Sequence, residues 1–176
     1  MTAPAKMLMR LETAADRAAI HALTTAAFAP MRFSDGTEAD LVDLLRESGD
    51  LTLSLVAESD GKIIGHAAFS PTEVSGSDGQ WMALGPISVT VGLQRQGIGR
   101  QLIDEGCARL ARARISGIVL TGNPAVYEPC GFSCDGALHH TGTPDKNVLW
   151  RSLDGTRASG HIRFAAAFGD DRGQLP

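Results

Sequence analysis

The sequence predicts an α/β fold in which a mixed β-sheet is flanked by helices. Residues 84–91 form an apolar run, which is followed by a glycine-bearing turn, a helical pattern and a second apolar run at 118–121. Because strands joined through a helix lie parallel, this order predicts a βαβ unit. Two β-rich runs, 51–58 and 62–70, are joined by Ser59-Asp60-Gly61, a typical hairpin turn, so antiparallel pairing is expected as well.

Two helices are predicted ahead of this hairpin. Thr13 and Asp16 have the spacing of a capping box, and apolar residues continue at helical intervals as far as Phe28. Pro30 interrupts the pattern, and a second helix is predicted from residue 37 to a stop at Gly49.

The remaining elements follow a turn at 76–79. A strand is expected from Trp81 to Val91, and then a helix that begins near Ile98 and ends near Gly117. Later strands are expected at 147–150 and 161–165.

Length and charge limit the possible functions. The 176 residues suit a single domain, 1–176, with a core at about 8–168 and a frayed tail at 169–176. The net charge is −4, the sequence pI is about 5.7, and the basic residues are scattered, so the sequence lacks the basic footprint that nucleic-acid and anionic-membrane binders carry. We therefore expect a neutral or cationic substrate and no nucleic-acid partner. A monomer or homodimer is expected, although neither length nor charge distinguishes the two.

Cysteine use and the N-terminal segment indicate the compartment. Three cysteines without a C-x-x-C pair do not make a disulfide framework. Met1-Thr-Ala-Pro-Ala-Lys6 lacks the apolar segment of a secretion signal, and no apolar run approaches the ~20 residues that a membrane helix needs. A cytoplasmic location without membrane association is expected.

The segment between the 84–91 strand and the next helix has the composition of an anion-binding loop. The first N–H groups of a helix lack internal partners, and the helix dipole adds to their attraction for a phosphate. Two glycines leave these groups open to close approach, and two arginines add positive charge. The predicted phosphate-binding residues are Gln94, Arg95, Gln96, Gly97, Ile98, Gly99, Arg100 and Gln101.

Two other interpretations of this loop remain open. A short glycine pair also occurs in hairpins and helix starts that bind nothing. A dinucleotide-binding loop fits less well, since its third glycine would fall on Leu102 and the motif lies past mid-chain.

Three segments carry a recognisable pattern: 84–89, the loop 94–99 with its Q/R-x-x-G-x-G/A pattern, and Tyr127-x-x-x-Gly131-Phe132. Together they resemble the GNAT-type N-acetyltransferases, and further similarity extends to their YhbS-like branch. The similarity runs from about Arg10 to Phe168. It implies a splayed mixed sheet, acetyl-CoA as co-substrate and direct transfer of the acetyl group to a primary amine of a small molecule or protein.

The resemblance also implies roles for individual residues. The strand before the loop would hold the pantetheine arm at Ile87, Ser88 and Val89. Asn123 would orient the pantetheine or Tyr127 through its amide, or would simply form a turn beside Pro124. Tyr127, the only tyrosine, has the spacing of the family's general acid. The reference pKa of a phenol is about 10, against about 8.5 for a thiol, so Tyr127 stays protonated at neutral pH and can hydrogen-bond or donate to a leaving thiolate. A tyrosine packed at the sheet edge is the alternative.

One segment departs from the usual pattern of the branch. Where the branch has two adjacent tyrosines and then an Arg-Phe or Lys-Phe pair, this chain has Val126-Tyr127 and Pro129-Cys130. This departure keeps a second function open, that of a non-catalytic acyl-CoA-binding or sensing module.

The sequence offers several candidates for a general base. Glu73, beyond the third strand, is the first candidate, and Glu38, which opens the second helix, is another; a water-mediated route is equally open. Both carboxylates also suit ordinary solvated positions. His66 follows Gly65 in an apolar strand, where a histidine is more often a hydrogen-bonded core residue than a base.

No metal site is expected. A zinc site would have to use Cys130 and Cys134 with His139 and His140, and their spacing matches no standard arrangement. Cys107 lies on a helical face and is predicted to be a core residue.

Overall fold

The structure, a computed structural model, describes residues 6–169; most of the predicted tail, 170–176, lies outside the described residues. The chain divides into two compact units, of which the first comprises 6–68 and 86–106 and the second 69–85 and 107–169. Two strands and one helix pass from one unit into the other. The expectation of a single domain stays a prediction.

The first unit combines four neighbouring strands with helices. The strands follow the order β1-β2-β3-β4, and β1 pairs antiparallel with β2. Its elements are β1 (Leu8–Leu11), α1 (Arg17–Phe28), α2 (Glu38–Ser48), β2 (Leu53–Ser59), the first part of β3 (Lys62–Val74), the last part of β4 (Trp81–Val89) and the first part of α3 (Ile98–Arg112).

The sequence signals for caps and turns in this unit are confirmed. Asp16 Oδ2 accepts a hydrogen bond from Thr13 N at 2.7 Å, and a 3-10 turn leads into α1. Gly49 ends α2 with φ +82°, a left-handed conformation that glycine adopts at little cost. Asp60 and Gly61, with φ +51° and +74°, form the turn between β2 and β3.

The core of the first unit joins α1, α2 and β2. Ile20, Val42 and Val56 are almost completely buried against one another, and Leu51 packs beside them. These residues come from three separate elements, so burying their apolar surface fixes both helices on the sheet.

The second unit contains the parallel strand pair. β5 runs parallel to β4 and antiparallel to β7, while β3 pairs antiparallel with β8, so the predicted mixed sheet is confirmed. Its core is apolar and includes Trp81, Val119 and Phe164. Besides the remaining parts of β3, β4 and α3, its elements are β5 (Gly117–Thr121), α4 (Pro124–Tyr127), β6 (Leu138–His139), β7 (Val148–Ser152) and β8 (Gly160–Phe164).

The parallel pair separates before either strand ends. Registered pairs run from Trp81 and Gly117 to Ala83 and Val119, although β5 continues to Thr121. Gly85 follows in β4 with φ +148°, a value that disfavours residues with a side chain. The splayed arrangement that the resemblance implies is therefore present at this point.

Some elements differ from the predictions. β1, β6 and the single turn of α4 were not expected, because each has only two to four residues and no clear periodicity. β4 ends at Val89 and α3 at Arg112, both earlier than predicted. Within 6–169, no helix has the length and apolar character needed to cross a lipid bilayer.

Candidate functional site

The predicted phosphate loop leads from β4 into α3, all within the first unit. A 3-10 turn at 91–93 is followed by extended backbone at Gln94, and α3 begins at Ile98. Arg95 and Gly97 both have positive φ, +61° and +89°. The left-handed region costs a non-glycine residue about 1–3 kcal/mol, so the rest of the loop must hold Arg95 in place.

The backbone N–H groups of this loop are free to bind a ligand. From Arg95 to Arg100 none of them has an acceptor within the part of the chain that the structure describes. The first hydrogen bond of the helix runs from Gln101 N to Gly97 O at 3.0 Å. Successive free N–H groups around residues of positive φ form a concave anion-binding surface, and the N-terminus of α3 adds its dipole.

The two glycines of the loop differ in what requires them. The backbone at position 97 has a positive φ, a conformation that favours glycine over residues with a side chain. Gly99 has an ordinary backbone, and a Cβ there would meet only Val89 at 3.8 Å and Ile87 at 4.0 Å, both normal contacts. Packing within the protein therefore does not require a glycine at 99, whereas a phosphate resting on the adjacent N–H groups would.

The glutamines and arginines of the loop have different surroundings. Gln94 Nε2 donates to Val89 O at 3.1 Å, and Gln96 Nε2 donates to Gly92 O at 3.3 Å, so both amides brace the loop. Arg95 and Arg100 are exposed, and the Arg100 guanidinium lies 3.9 Å from Asp104 in the next turn. The two glutamines therefore stabilise the conformation of the loop, and the two arginines add positive charge to it.

The last residues of β4 alternate between two faces of the sheet. Ile87 and Val89 lie on the α3 side, since they are the neighbours of a Cβ placed at Gly99. Ser88 lies between them on the other face and is 2% exposed. Its hydroxyl has no hydrogen-bond partner among the described residues.

Tyr127 belongs to the second unit, where it ends α4. Its ring meets Phe132 edge-on, with centroids 6.1 Å apart. Burial, with a smaller effect of Cys130, raises the pKa of the phenol above its ordinary value. The hydroxyl is therefore protonated at neutral pH, and it has no hydrogen-bond partner within residues 6–169. This leaves the proton available to a ligand.

The turn before Tyr127 is held by asparagines. Asn123 Oδ1 accepts a hydrogen bond from Ala125 N at 3.0 Å, which makes it the cap of α4. Asn147 binds both polar groups of the Gly122 backbone, at 2.8 and 3.0 Å. Asn123 therefore occupies the turn role, and its action on pantetheine stays a prediction.

A chain of polar side chains reaches the core of the first unit. Arg46 Nε and Nη2 each donate to Glu12 at 2.9 Å, and Glu12 Oε2 accepts from Ser54 Oγ at 2.8 Å. The Ser54 hydroxyl lies 2.8 Å from Nε2 of His66, a residue with no exposed surface. Burial lowers the pKa of His66 to about 4, so its ring is neutral at pH 7. Sequence reasoning missed this chain because its members are far apart in the sequence.

The two candidate carboxylate bases lie in different units. Glu73 is exposed on β3, opposite Arg163 of β8 in the antiparallel register. Glu38 is half-buried in the first turn of α2, where the helix dipole favours an acidic residue. Both environments suit ordinary carboxylates, and the role of Glu73 as a base stays a prediction.

The residues considered for zinc bind other groups. Cys134 Sγ lies 3.1 Å from Glu128 Oε1, His139 Nδ1 lies 2.9 Å from Asp145, and His140 Nδ1 lies 2.9 Å from Thr143 Oγ1. Cys107 is buried, which confirms its prediction as a core residue.

A different group has ligand atoms close together. The side-chain ligand atoms of His21, Asp40 and Asp43 lie within 4.8 Å of one another on α1 and α2. Asp43 already accepts a hydrogen bond from Arg46 Nη1 at 2.6 Å and lies 2.8 Å from His21 Nδ1. Exposed groups of this kind are common without a metal, so the metal-free expectation stays a prediction.

Sequence comparison decides the family. The model of the Acetyltransferase (GNAT) family matches residues 11–132, a span that includes the loop and Tyr127. The chain belongs to the GNAT acetyltransferase family. It is 42% identical over 135 residues to the protein described as uncharacterized N-acetyltransferase YhbS of Escherichia coli K12, covering 76% of this chain and 77% of that protein. The predicted resemblance and the predicted enzyme class, an N-acetyltransferase, are both confirmed.

Solved structures of GNAT proteins support the same fold. A GNAT acetyltransferase from Brucella melitensis in complex with acetyl-CoA shares 38% identity with a TM-score of 0.81, covering 93% of this chain and 98% of that one. YhbS from Escherichia coli in complex with CoA shares 34% identity with a TM-score of 0.82, covering 96% of both chains. The GNAT fold expected for this enzyme is therefore confirmed.

Proposed function

We propose that this GNAT enzyme transfers an acetyl group from acetyl-CoA directly to a primary amine of an acceptor molecule. The observation that carries the proposal is the series of free N–H groups from Arg95 to Arg100 at the start of α3. Two relatives of this chain have been solved with acetyl-CoA or CoA. The loop provides what a pyrophosphate needs, namely convergent N–H donors, a helix N-terminus and a close approach at Gly99.

The strand before the loop is proposed to hold the pantetheine arm. In this assignment the backbone of Ile87, Ser88 and Val89 binds the arm and polarises the thioester carbonyl. The registered pairing of β4 with β5 ends at Ala83, which supports the idea that later backbone groups of β4 are available to a ligand.

Tyr127 is proposed to protonate the leaving thiolate of CoA. The hydroxyl has no partner among the described residues and is protonated at neutral pH, which supports this role because a proton donor must be protonated and unoccupied before the reaction. The amine nitrogen bonds to the carbonyl carbon and loses one proton to a base or to water, the carbon–sulfur bond breaks, and the phenol proton passes to sulfur.

The acceptor is proposed to be a small-molecule or protein amine in a metal-free reaction. The net charge of −4 and the lack of a basic sequence segment support a neutral or cationic acceptor over a nucleic acid. A cytoplasmic location and a monomer or homodimer remain part of the proposal.

One observation favours a second function, that of a non-catalytic module. Val126 is 57% exposed, and Pro129 and Cys130 form the turn after Tyr127, in the segment that departs from the YhbS-like pattern. A chain that kept the phosphate loop but lost turnover would act as an acyl-CoA-binding or sensing module.

The test is acetyl transfer to defined amines. The protein is incubated with acetyl-CoA and, separately, butylamine, spermidine and N-α-acetyl-lysine, and both free thiol and acetylated amine are measured. Matching amounts of the two products support the proposed reaction. Tight CoA binding by calorimetry without any amine-dependent thiol release supports the sensing module, and binding of NAD but not CoA contradicts both.

A further inference from the structure

His66 has one ring nitrogen that is bonded and one that is not. Nε2 lies 2.8 Å from Ser54 Oγ, while Nδ1 is completely buried and has no partner among the described residues. A buried acceptor without a donor is rare in folded proteins. Core packing alone would be served by an apolar residue at this position, so the open nitrogen needs another explanation.

The hydrogen-bond chain determines which nitrogen carries the proton. Burial disfavours the charged form of Glu12, but hydrogen bonds from Arg46 and Ser54 outweigh it and lower its pKa, so Glu12 is a carboxylate. The single hydroxyl hydrogen of Ser54 is donated to that carboxylate. Ser54 Oγ must therefore accept from His66 Nε2–H, which leaves the lone pair on Nδ1.

His66 lies on the same face of the sheet as Ser88. A Cβ at Gly65 would contact α3 at Leu102 and Ile98, so the next residue, His66, lies on the opposite face. Ser88 is also on the face away from α3, because Ile87 and Val89 lie toward it.

The two residues also lie at the same level of adjacent strands. β3 and β4 are neighbours joined by a short connection, which makes them antiparallel. Thr90 N donates to Ile64 O at 2.9 Å. His66 lies two residues after Ile64, and Ser88 lies two residues before Thr90, so the two residues are opposite each other on antiparallel strands. His66 Nδ1 and the Ser88 hydroxyl, both buried and both without a partner among the described residues, are therefore in the same region.

We propose that His66 is the general base of the reaction, accepting through Nδ1, by way of one water held with Ser88, the proton that the acceptor amine loses. This assignment rests on the proposed function. It replaces Glu73 as the first candidate, because Glu73 is exposed on the surface, whereas His66 is a neutral base on the strand next to the end of β4.

The proton balance of this step is simple. The neutral amine attacks the thioester carbon, and the new carbon–nitrogen bond makes the N–H protons far more acidic than those of a free ammonium ion. One of them passes through the water to His66 Nδ1, the carbon–sulfur bond breaks, and the thiolate receives its proton from another donor. The imidazolium donates Nε2–H to Ser54, and the negative charge of Glu12 stabilises it through that hydroxyl.

The low pKa of His66, about 4, agrees with this step. It keeps Nδ1 unprotonated in the resting enzyme, so the lone pair is available to accept a proton at neutral pH. Besides burial, two charged groups act on the pKa of His66: Glu12 raises it and Arg46 lowers it.

The first experiment is spectroscopic and needs no acceptor. Long-range ¹H–¹⁵N spectra of the wild-type protein at about pH 7 distinguish the two neutral tautomers from imidazolium, and His66→Gln identifies the signal of His66. We expect the Nε2–H tautomer. A proton on Nδ1 would overturn the proposal.

The second experiment compares two amines. His66→Gln keeps an N–H donor for Ser54 but has no basic lone pair. With butylamine we expect its turnover to fall by about 10²-fold, with CoA affinity unchanged. With hydroxylamine, whose adduct is more acidic and loses its proton more easily, the loss should be less than about tenfold. Equal losses with both amines, as a structural defect would give, contradict the proposal.

His140→Gln is the matched control. His140 is also a buried histidine bonded to a hydroxyl, that of Thr143, and it has no assigned role in the reaction. Its substitution should leave the ratio of the two rates unchanged. Full butylamine turnover by His66→Gln would overturn the base assignment and leave the proposed function intact, whereas an inactive wild type would contradict the proposed function itself.

Discussion

Gly122 lies so close to the ring of Tyr127 that a Cβ at position 122 would stand 2.7 Å from Tyr127 Cε2. Asn147 binds both the N–H and the carbonyl of Gly122, and these two hydrogen bonds oppose a movement of the backbone away from the ring. The absence of a side chain at 122 is therefore what allows Tyr127 its observed orientation.

Gly122→Ala should displace the Tyr127 ring and lower acetyl transfer. Overpacking of this kind costs about 1–3 kcal/mol of folding free energy, which urea denaturation would measure. If the loss of turnover comes from a misplaced hydroxyl, the substitution should have little further effect on a Tyr127→Phe protein. Additive losses would show that Gly122 acts on something else.

Tyr127→Phe removes only the proton donor, since the ring and its edge contact with Phe132 are kept. We expect turnover to fall by about 10²-fold or more while CoA affinity, measured by calorimetry, changes little. Full turnover in this variant would exclude Tyr127 as the general acid and would leave water, or the stability of the thiolate itself, to complete the reaction.

Gly97→Val should weaken CoA binding. The branched side chain would project into the loop where the pyrophosphate is proposed to rest, and φ +89° would be strained as well. Gly155→Val is a matched control, because Gly155 has φ +91°, equally open surroundings and no assigned role in binding. Calorimetry should show weaker CoA binding for Gly97→Val alone, and equal affinities in the two folded variants would argue against the phosphate-loop assignment.

The buried His66 should make folding stability depend on pH. Its pKa is about 4 in the folded protein and about 6.5 in an unfolded chain, so between these values the unfolded state binds more protons. The free energy of unfolding therefore falls as the pH drops from about 6.5 toward 4, by up to roughly 3 kcal/mol. His66→Gln should lose this part of the pH dependence, and parallel stability curves for the two proteins would contradict it.

Removal of metal ions should leave the enzyme unchanged. The described zinc candidates bind other partners, and the group of His21, Asp40 and Asp43 already includes a salt bridge to Arg46. Protein treated with a chelator should keep its CoA affinity and its acetyl transfer. Loss of activity that zinc restores would reverse this expectation.

Features that depend on neighbours in sequence were the ones that could be predicted. The cap at Asp16, the stop at Gly49 and the turn at Asp60-Gly61 each depend on a few adjacent residues. The loop from Gln94 to Gln101 could be placed for the same reason, because a strand, two glycines and a helix follow one another directly.

Features that depend on distant residues were missed. The chain from Arg46 to His66 needs a strand edge, a helix and a hairpin to come together, and no local pattern indicates that Glu12 and Ser54 face each other. Sequence reasoning treated His66 as an ordinary hydrogen-bonded core residue. Within residues 6–169, one ring nitrogen has a hydrogen-bond partner and the other has none.

Because Tyr127 is the only tyrosine among the 176 residues, the proposed acid can be observed without any substitution. Protein grown with 3-fluorotyrosine would give a single ¹⁹F resonance, and that resonance would report on one phenol. Titrations with CoA and acetyl-CoA could then show separately whether the ring responds to the carrier or to the acetyl group.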